Sequence, residues 1–418
     1  MSIIALEMRW LAIWLLLVGT AVASPLGAVY DVHPTDAATV QKDMDAMVAL
    51  GLSWVRILPD WSSIQPTQDH YDWAWSDLLV RTAREHHLHV VYTLGYTPQW
   101  LSLYPDDPDL EVWSRNRPRD LEAWRDYVTA LVQRYGQDVH DWQVWEQSDI
   151  HHFRGPDADL RLLLEGARDR LPAGDRLIAP EVGEINLGPI RRMIRHGLRF
   201  DVLGLYPDGL PPEGTVRPLA HLPPMQRWYS GVSNEATAAL GLAHQVEVVF
   251  LEDWRNFDPK ALVAPAASSV EKDYSTVPLV SIRLLETPDD AGLHLVHPAG
   301  LTGIGWQSDL AHGRTELPLD IDDTFLYDVD GHQPVDVDVE AQDNSGSLPL
   351  GFDVGYDGVN GYSFTRWQWV DAGPGWHHYV FRITDGEFAD PRADVRINAL
   401  GSKGDVTIRS VTVSRSAP

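Results

Sequence analysis

Short apolar segments alternate with amphipathic stretches through most of this 418-residue chain, and this rhythm limits the folds open to it. The stretch Leu121–Tyr135, for example, places Trp124, Val128 and Leu131 on one helical face. Eight apolar segments are predicted strands: Gly27–Val32, Trp54–Leu58, His89–Leu94, Trp142–Trp145, Leu177–Ala179, Val202–Leu205, Val246–Leu251 and one near Leu293–Trp306. About eight strand–helix units are typical of a (β/α)8 TIM barrel. An open doubly wound sheet is the alternative, but the first strand–helix turn, residues 32–36, has no glycine-rich phosphate loop.

The pattern changes near Leu317, where helical periodicity stops. Residues 335–340 alternate valine with acidic residues, which indicates a strand with one exposed face. More short apolar segments follow, separated by glycine-rich turns. The predicted α/β fold is therefore a (β/α)8 barrel over residues 24–316, followed by a small all-β sandwich over residues 317–418. The sandwich either binds carbohydrate, through Trp367, Trp369 or Trp376, or only braces the barrel.

The first residues have the pattern of a secretory signal peptide. Arg9 precedes the apolar run Trp10–Val18, and Ala21–Ala23 supplies a small-residue cleavage pattern. Residues 1–23 are therefore a predicted signal peptide, and the protein is expected to be secreted or periplasmic. Retention of this segment as an N-terminal anchor is the alternative. No second apolar run of membrane length follows, so no integral membrane domain is predicted.

Charge and composition limit the kinds of molecule that the chain is expected to bind. The chain has 33 basic and 60 acidic residues, a formal net charge of −27, which repels phosphate backbones. Nucleic acid is therefore not an expected partner. The absence of cysteine excludes thiol catalysis and cysteine-based metal sites, and no His/Glu motif suggests a metal, so neither metal nor cofactor is predicted. The 17 tryptophans favour a polysaccharide or oligosaccharide partner, while nothing in the sequence determines the oligomeric state.

The residues that follow the predicted strands should meet at one rim, because barrel active sites form at the carboxyl ends of the strands. Carboxylates, aromatic rings and one arginine occur at these places, a combination that suits a sugar. The predicted substrate-binding residues are Arg56, Trp61, Trp100, Trp145, Gln147, Tyr206, Trp254 and Trp306.

Two carboxyl groups are needed for the common form of glycoside hydrolysis. Glu252 is the candidate for the nucleophile, because it closes the apolar segment Val246–Leu251, the seventh predicted strand. Glu146, after the fourth predicted strand, is the candidate acid/base. Asp149, Glu181 and Asp208 are alternatives for that second role.

Several motifs resemble glycoside hydrolases of clan A, particularly family 39 and related enzymes associated with bacterial exopolysaccharides. The matching pieces are WVRI (54–57), DWSSIQP (60–66), YDWAWSDLLV (71–80), LGYTPQWL (94–101), WRDYVTALVQRYG (124–136) and VVFLEDW (248–254). The resemblance covers most of residues 27–306. The C-terminal part is similar, more loosely, to sandwich modules that accompany polysaccharide-active enzymes.

The resemblance implies a retaining mechanism whose nucleophile follows strand seven, the place assigned to Glu252. It also implies an acid/base glutamate in a Trp-Asn-Glu-Pro motif after strand four. This chain has Trp145, Glu146, Gln147 and Ser148 there, so Gln147 stands in the place of the acid. A carboxamide cannot exchange a proton in this role. Four readings stay open: Glu146 turns into the site, another acid replaces it, the register is shifted by one, or the barrel binds glycan without cutting it.

The sequence therefore predicts an extracytoplasmic retaining-type hydrolase of a polysaccharide, with an exopolysaccharide as candidate substrate. The alternative is a catalytically inactive glycan-binding barrel that acts in exopolysaccharide secretion or handling.

Overall fold

A computed structural model describes residues 25–31, 35–146, 152–183, 185, 187–207, 219, 222, 225–258, 261–262, 273–296, 299–328, 332–343, 348–371, 375–390 and 393–416. The predicted signal peptide and Gln147 lie outside these residues. None of the helices in this described part is long and apolar enough to cross a membrane.

Parallel strands form a closed barrel. Their order around the barrel follows the chain, and β9 pairs with β1, where Phe250 lies opposite Gly27. The short strands β5 and β6 both pair with β7 and act together as the fifth barrel strand. The barrel strands are β1 Leu26–Tyr30, β2 Trp54–Ile57, β3 His89–Leu94, β4 Val139–Val144, β5 Arg176–Ile178, β6 Val182–Gly183, β7 Val202–Tyr206, β8 Gln226–Val232 and β9 Val248–Leu251. The predicted (β/α)8 barrel is confirmed.

The last two barrel strands differ from the prediction. The seventh is β8, which the sequence pattern missed because Arg227, Ser230 and Gly231 interrupt its apolar character. The segment predicted as seventh is therefore β9, the eighth barrel strand. The predicted eighth strand near Leu293–Trp306 is wrong, because it divides into short antiparallel strands that pair with the C-terminal part of the chain.

Helices connect the barrel strands, and several of them begin with side-chain caps. Asp36, Asp120 and Asn234 each accept a hydrogen bond from a backbone N–H in the first turn of the helix that follows. The helices are α1 Ala37–Ala49, α2 Trp61–Ile64, α3 Ala74–Glu85, α4 Leu110–Ser114, α5 Leu121–Tyr135, α6 Asp157–Arg168, α7 Leu187–Arg195 and α8 Glu235–Ala243. Short 3-10 turns span Gln99–Leu101, Trp254–Asn256 and Leu310–His312.

Large rings fill the barrel interior. Trp54, Trp228 and Phe250 are buried there, with the Trp54 and Trp228 rings 5.2 Å apart. Gly27 makes room for them, because a Cβ at this position would lie 2.7 Å from both Phe250 and Trp54. The interior is therefore a packed core, so ligands are expected at the barrel's mouth.

Antiparallel strands form the rest of the molecule, as predicted for a sandwich. One sheet has the order β11-β10-β22-β14-β13 with β16 between β22 and β20, and the other has β12-β15-β21-β17-β18 with β19 on β17. The strands are β10 Leu279–Arg283, β11 Asp289–Ala291, β12 Leu293–Leu295, β13 Leu301–Thr302, β14 Gly305–Gln307, β15 Glu316–Ile321, β16 Val335–Asp343, β17 Gly351–Gly358, β18 Gly361–Phe364, β19 Gln368–Trp369, β20 His377–Ile383, β21 Val395–Asn398 and β22 Val406–Arg415. These strands begin at Leu279, ahead of the predicted boundary at residue 317, because β10 pairs with the last strand of the chain.

A barrel helix contacts the tip of a sandwich hairpin. Arg195 of α7 donates hydrogen bonds to the carboxylate of Glu387, at 2.9 Å, and to the carbonyl of Val359, at 2.7 Å. Val359 lies in the turn between β17 and β18. This end of the hairpin therefore faces the barrel.

Candidate active site

Arg56, the third residue of β2, is the centre of a charged network at the barrel's carboxyl end. Its Nη1 lies 2.7 Å from Oε1 of Glu181 and 3.6 Å from Oε2 of Glu146. Burial alone would lower the pKa of Arg56, but the charges of Glu181, Glu146, Glu252 and Asp31 raise it instead. The guanidinium therefore stays charged among four carboxyl groups that come from different strand ends.

Glu146 enters this network through an unusual backbone conformation. The chain leaves β4 at Trp145, whose φ of 62° is in the left-handed region that tryptophan rarely adopts. Consecutive residues of a regular strand point to opposite sides, so this turn is what directs the next side chain toward Arg56. The structure thus places Glu146 as the first of the four readings requires, with its carboxylate about one-eighth exposed, at 12%.

Tyr96 and His152 hold the Glu146 carboxylate from the solvent side. The Tyr96 hydroxyl donates to Oε1 of Glu146 at 2.5 Å, and Nδ1 of His152 lies 2.7 Å from the same hydroxyl. A tyrosine hydroxyl has one proton, so Nδ1 of His152 must donate to Tyr96 while Tyr96 donates to Glu146. Burial, then the charge of Glu146, raise the pKa of Tyr96, so the hydroxyl keeps its proton.

The pKa of Glu146 is lowered by this environment. Burial alone would raise it, but His152, Arg56 and Tyr96 together have the larger effect. Glu146 is therefore an anion at neutral pH.

Glu181 has the opposite character. It is fully buried, and its Oε1 accepts hydrogen bonds from Arg56 and, at 3.2 Å, from Nε2 of Gln143. Burial raises its pKa to about 7, because the cost of burial outweighs the lowering by Arg56 and Gln143, and the charges of Glu146 and Glu252 add to the increase. Two carboxyl groups that share one arginine therefore differ in protonation, a pattern found in acid/base pairs.

Glu252 reaches the same mouth from β9. It is partly exposed, and its charge acts on both Arg56 and Glu181. Because β9 is the eighth barrel strand, Glu252 does not have the strand-seven place that the resemblance implied. Its Oε1 instead lies over Gly231 of β8: a Cβ at residue 231 would be 2.8 Å from that oxygen and 2.6 Å from the Tyr206 ring. A strand-eight carboxylate thus occupies space above strand seven.

Three of the predicted substrate-binding tryptophans are buried elsewhere. Trp61 stacks on Tyr127 at 4.5 Å in the core between helices, and Trp254 is buried in the barrel core beside α1. Trp306 belongs to β14 of the sandwich, where it pairs with Ile408. A fully covered ring cannot stack on a sugar, so these positions do not form part of the mouth. The sequence pattern misled because strand-end tryptophans pack into the core as readily as they line a cleft.

Of the other predicted contacts, Trp145 and Tyr206 adjoin members of the charged network. Trp145 is buried beneath it, with its ring edge-on to Tyr96 at 5.3 Å, and it therefore supports that tyrosine. Trp100 is partly exposed and its indole N–H donates to the carbonyl of Gln65. Tyr206 is also partly exposed, beside Gly231 and Glu252. Gln147, with the alternative acids Asp149 and Asp208, falls outside the described residues.

Sequence reasoning missed several members of the network. Asp31 follows β1, and Gln143 is a buried polar side chain between the apolar Trp142 and Val144 near the end of β4, which is a usable signal for an interior site residue. His152 was passed over because it lies six residues beyond Glu146, and only folding brings it back to Tyr96. Among the described residues, no group of three or more His, Asp or Glu is arranged to hold a metal ion.

Comparisons with known proteins relate the chain to glycoside hydrolases. A family model described as beta-galactosidase, of glycoside hydrolase family 42, matches residues 29–144, which carry β1 to β4. The thermostable celloxylanase of Thermoclostridium stercorarium is 29% identical over 93 residues, covering 20% of this chain and 24% of the relative. An endo-1,4-beta-xylanase A of Halalkalibacterium halodurans is 28% identical over 94 residues, covering 20% and 23%. The chain thus spans about a quarter of the length of these curated relatives.

Solved structures of glycoside hydrolases are also similar to the chain, at a lower sequence identity. A family 39 glycoside hydrolase from Bacteroides cellulosilyticus matches at 15% identity and a TM-score of 0.41, over 55% of this chain and 56% of that one. A family 39 beta-xylosidase from Caulobacter crescentus matches at 16% identity and a TM-score of 0.43, over 56% and 62%. The sequence matches are the stronger finding: through the first half of its barrel, this chain is related to the glycoside hydrolases.

Proposed function

We propose that the chain is a retaining-type glycoside hydrolase acting on a polysaccharide, with Glu146 and Glu252 as its two catalytic carboxyl groups. The observation that carries the proposal is the network around Arg56, where carboxyl groups of unlike protonation meet at the barrel mouth. Among the carboxyl groups of the network, Asp31 is exposed and Glu146 and Glu252 are partly exposed, so a bound sugar has access to the two proposed catalytic groups. Glu181 is fully buried and supports them from below.

The roles follow from the surroundings of each carboxyl group. A nucleophile must be ionised before substrate binds, and Glu146 is held as an anion by Tyr96, His152 and Arg56. The structure thus supports Glu146 as nucleophile and Glu252 as proton donor and base, the reverse of the roles inferred from sequence. Trp100 and Tyr206 are the aromatic surfaces available to sugar rings at this mouth.

Substrate and location extend the proposal. The relatives are named for xylanase and beta-galactosidase activities, so a polymer of neutral sugars is the first substrate to test, with a bacterial exopolysaccharide as the second. The signal-peptide pattern of residues 1–23 supports action outside the cytoplasm.

An aryl glycoside with a good leaving group distinguishes the roles, because dinitrophenolate departs without a proton donor. We expect Glu252→Ala to lose at least about a hundredfold in reducing-end release from xylan or galactan. It should nevertheless release the first equivalent of dinitrophenolate nearly as fast as the unmodified chain does, followed by slow turnover, because only hydrolysis of the glycosyl-enzyme then needs the missing base. Glu146→Ala should lose both activities. The converse result would exchange the roles, and unchanged activity in both variants would contradict the choice of residues.

A glycan-binding barrel without turnover is the second candidate. It is favoured by Gln147 in the place of the family's acid, and by the low pKa of Glu146, which suits a hydrogen-bond acceptor as well as a nucleophile. It predicts binding of the polymer with no release of reducing ends, and an affinity that Glu252→Gln leaves nearly unchanged. Gain of hydrolysis by Gln147→Glu would support this reading.

A further inference from the structure

Four aromatic side chains form a surface on the outer face of the second sandwich sheet. Tyr362 and Phe364 of β18 are 45% and 51% exposed, with their rings 4.9 Å apart. Trp369 of β19 is 51% exposed, with its ring 5.7 Å from that of Trp367. We call Tyr362, Phe364, Trp367 and Trp369 the aromatic face. Rings exposed to this extent are unusual for side chains whose only role is packing.

Glycines of the central strand form the floor under these rings. Phe364 lies opposite Gly355 in the β17–β18 pairing, and Trp369 lies opposite Gly351 in the β17–β19 pairing. A Cβ at Gly351 would be 2.5 Å from the Trp367 indole nitrogen, and one at Gly355 would overlap the Tyr362 hydroxyl. The rings thus lie across the sheet rather than standing out from it, which presents their faces broadly.

Polar groups of fixed orientation lie on the same face. Asp353 stands between the two glycines and accepts a hydrogen bond from Asn398 at 2.9 Å. Asn398 accepts in turn from the backbone N–H of Leu400, so its amide cannot rotate freely. The guanidinium of Arg396 lies 5.4 Å from the centre of the Tyr362 ring. Flat rings are therefore combined with both a hydrogen-bond acceptor and donors.

We infer that the aromatic face is a glycan-binding site, separate from the barrel mouth, for a polysaccharide of neutral sugars. The apolar faces of pyranose rings can stack on the exposed indole and phenol rings, while Asp353 and Arg396 are polar partners for hydroxyl groups. The formal net charge of −27 opposes an anionic polymer, so a neutral one is the occupant. Binding here does not require hydrolysis by the barrel.

In the part of the chain that the structure describes, neither the sandwich core nor the barrel covers this face. The alternate residues of β17, Phe352, Val354 and Tyr356, point into the sandwich core, so the aromatic face is on the opposite side of the sheet. The barrel contact of Arg195 is at Val359, at the turn of the hairpin. The turn of this hairpin therefore lies next to the barrel. A polysaccharide bound along the aromatic face would extend away from the barrel.

Affinity electrophoresis of the full chain tests the inference. The gels contain xylan, galactan or, as an anionic polymer, alginate, and a background variant, Glu146→Gln, prevents erosion of the gel. We expect retardation by a neutral polymer and none by alginate. Tyr362→Ala combined with Trp369→Ala should reduce affinity at least about tenfold, which corresponds to about 1.4 kcal/mol. Gly351→Ala, which displaces Trp367 without removing any ring, should weaken binding in the same direction.

Val380→Ala is the matched control, because Val380 is an apolar side chain, 64% exposed, on the other sheet. It should leave retardation unchanged. Retardation as strong in the double variant as in the Glu146→Gln background, or its absence with every neutral polymer, would overturn the inference. If the double variant instead changes only the molar mass measured by light scattering, the face is a contact between copies of this chain and the inference is also wrong. These outcomes are independent of whether the barrel hydrolyses its substrate.

Discussion

Burial is the main cause of a pKa raised to about 7 for both Glu181 in the barrel and Asp320 in the sandwich, but the charges around the two acids differ. Glu181 is completely buried, and the nearby guanidinium of Arg56 opposes part of the cost of its ionisation. Asp320 is less buried, but the charges of Asp323 and Asp390 act on it, and its cationic neighbour is the weaker His294.

The difference shows how each region tolerates buried acids. In the barrel, the fixed positive charge of Arg56 offsets the cost of burying the carboxyl groups. The network is therefore ordered, and it can hold Glu146 ionised beside a protonated Glu181. The sandwich places like charges around the buried Asp320, so this acid keeps its proton to a higher pH than an ordinary aspartate does. In both regions the folded chain binds a proton that the unfolded chain releases, so stability falls as pH rises from about 4 toward 7.

Removal of the barrel cation should have the largest effect. Arg56→Met leaves Glu146 and Glu181 without their shared partner, so we expect a loss of about 3–5 kcal/mol in unfolding free energy at pH 8. The loss should be smaller at pH 5, where Glu181 is protonated. Urea unfolding at the two pH values measures this difference. The double variant Arg56→Met with Glu181→Gln should recover part of the loss, and strict additivity would show that the pair does not interact.

A second test addresses how Glu252 occupies the mouth. Gly231→Ala places a methyl group where Glu252 and Tyr206 already lie, so we expect a loss of about 1–3 kcal/mol in stability together with reduced activity. In a Glu252→Ala background the same substitution should cost less, because one of the crowded groups is gone. Equal costs in the two backgrounds, measured by thermal unfolding, would argue against the placement of Glu252 over β8.

In the sandwich, a negative charge can be removed instead of a positive one. Asp323→Asn removes the neighbouring charge with the largest effect on Asp320 and should lower the pKa of Asp320 toward its ordinary value near 4. The decline of stability between pH 4 and 7 should then end at a lower pH, and stability at pH 7 should rise by about 1 kcal/mol. Unfolding free energy measured at intervals over this range gives the answer. The stability gained from Asp323→Asn at pH 7 should be the same in an Arg56→Met background, because Arg56 is not among the charges that act on Asp320.

The smallest effect on unfolding free energy is expected for an arginine–carboxylate pair that is exposed to solvent. Arg84 and Asp138 form an ion pair of 3.2 Å on the barrel exterior, with the arginine more than half exposed. Arg84→Met should change unfolding free energy by no more than about 0.5 kcal/mol, and added salt should remove the difference. A loss as large as that of Arg56→Met would show that burial is not what distinguishes the two arginines.

Local pattern was enough for the architecture and for part of the site. The strand–helix rhythm predicts the barrel, the later period of two predicts the sandwich, and Arg56 and Glu146 stand at strand ends where a barrel collects its chemistry. Such features depend on residues close together in the chain, and their periodicity is visible in one dimension.

Three-dimensional pairing was needed for the rest. Strand seven, β8, has too few apolar residues to be recognised alone, and it is a strand because β7 and β9 pair with it. That pairing moves Glu252 to strand eight and puts its carboxylate over Gly231. Likewise, all three are tryptophans to the sequence, yet Trp61 and Trp306 are buried and Trp369 is exposed. Burial depends on which distant segments cover a side chain, and this information arises only when the chain is folded.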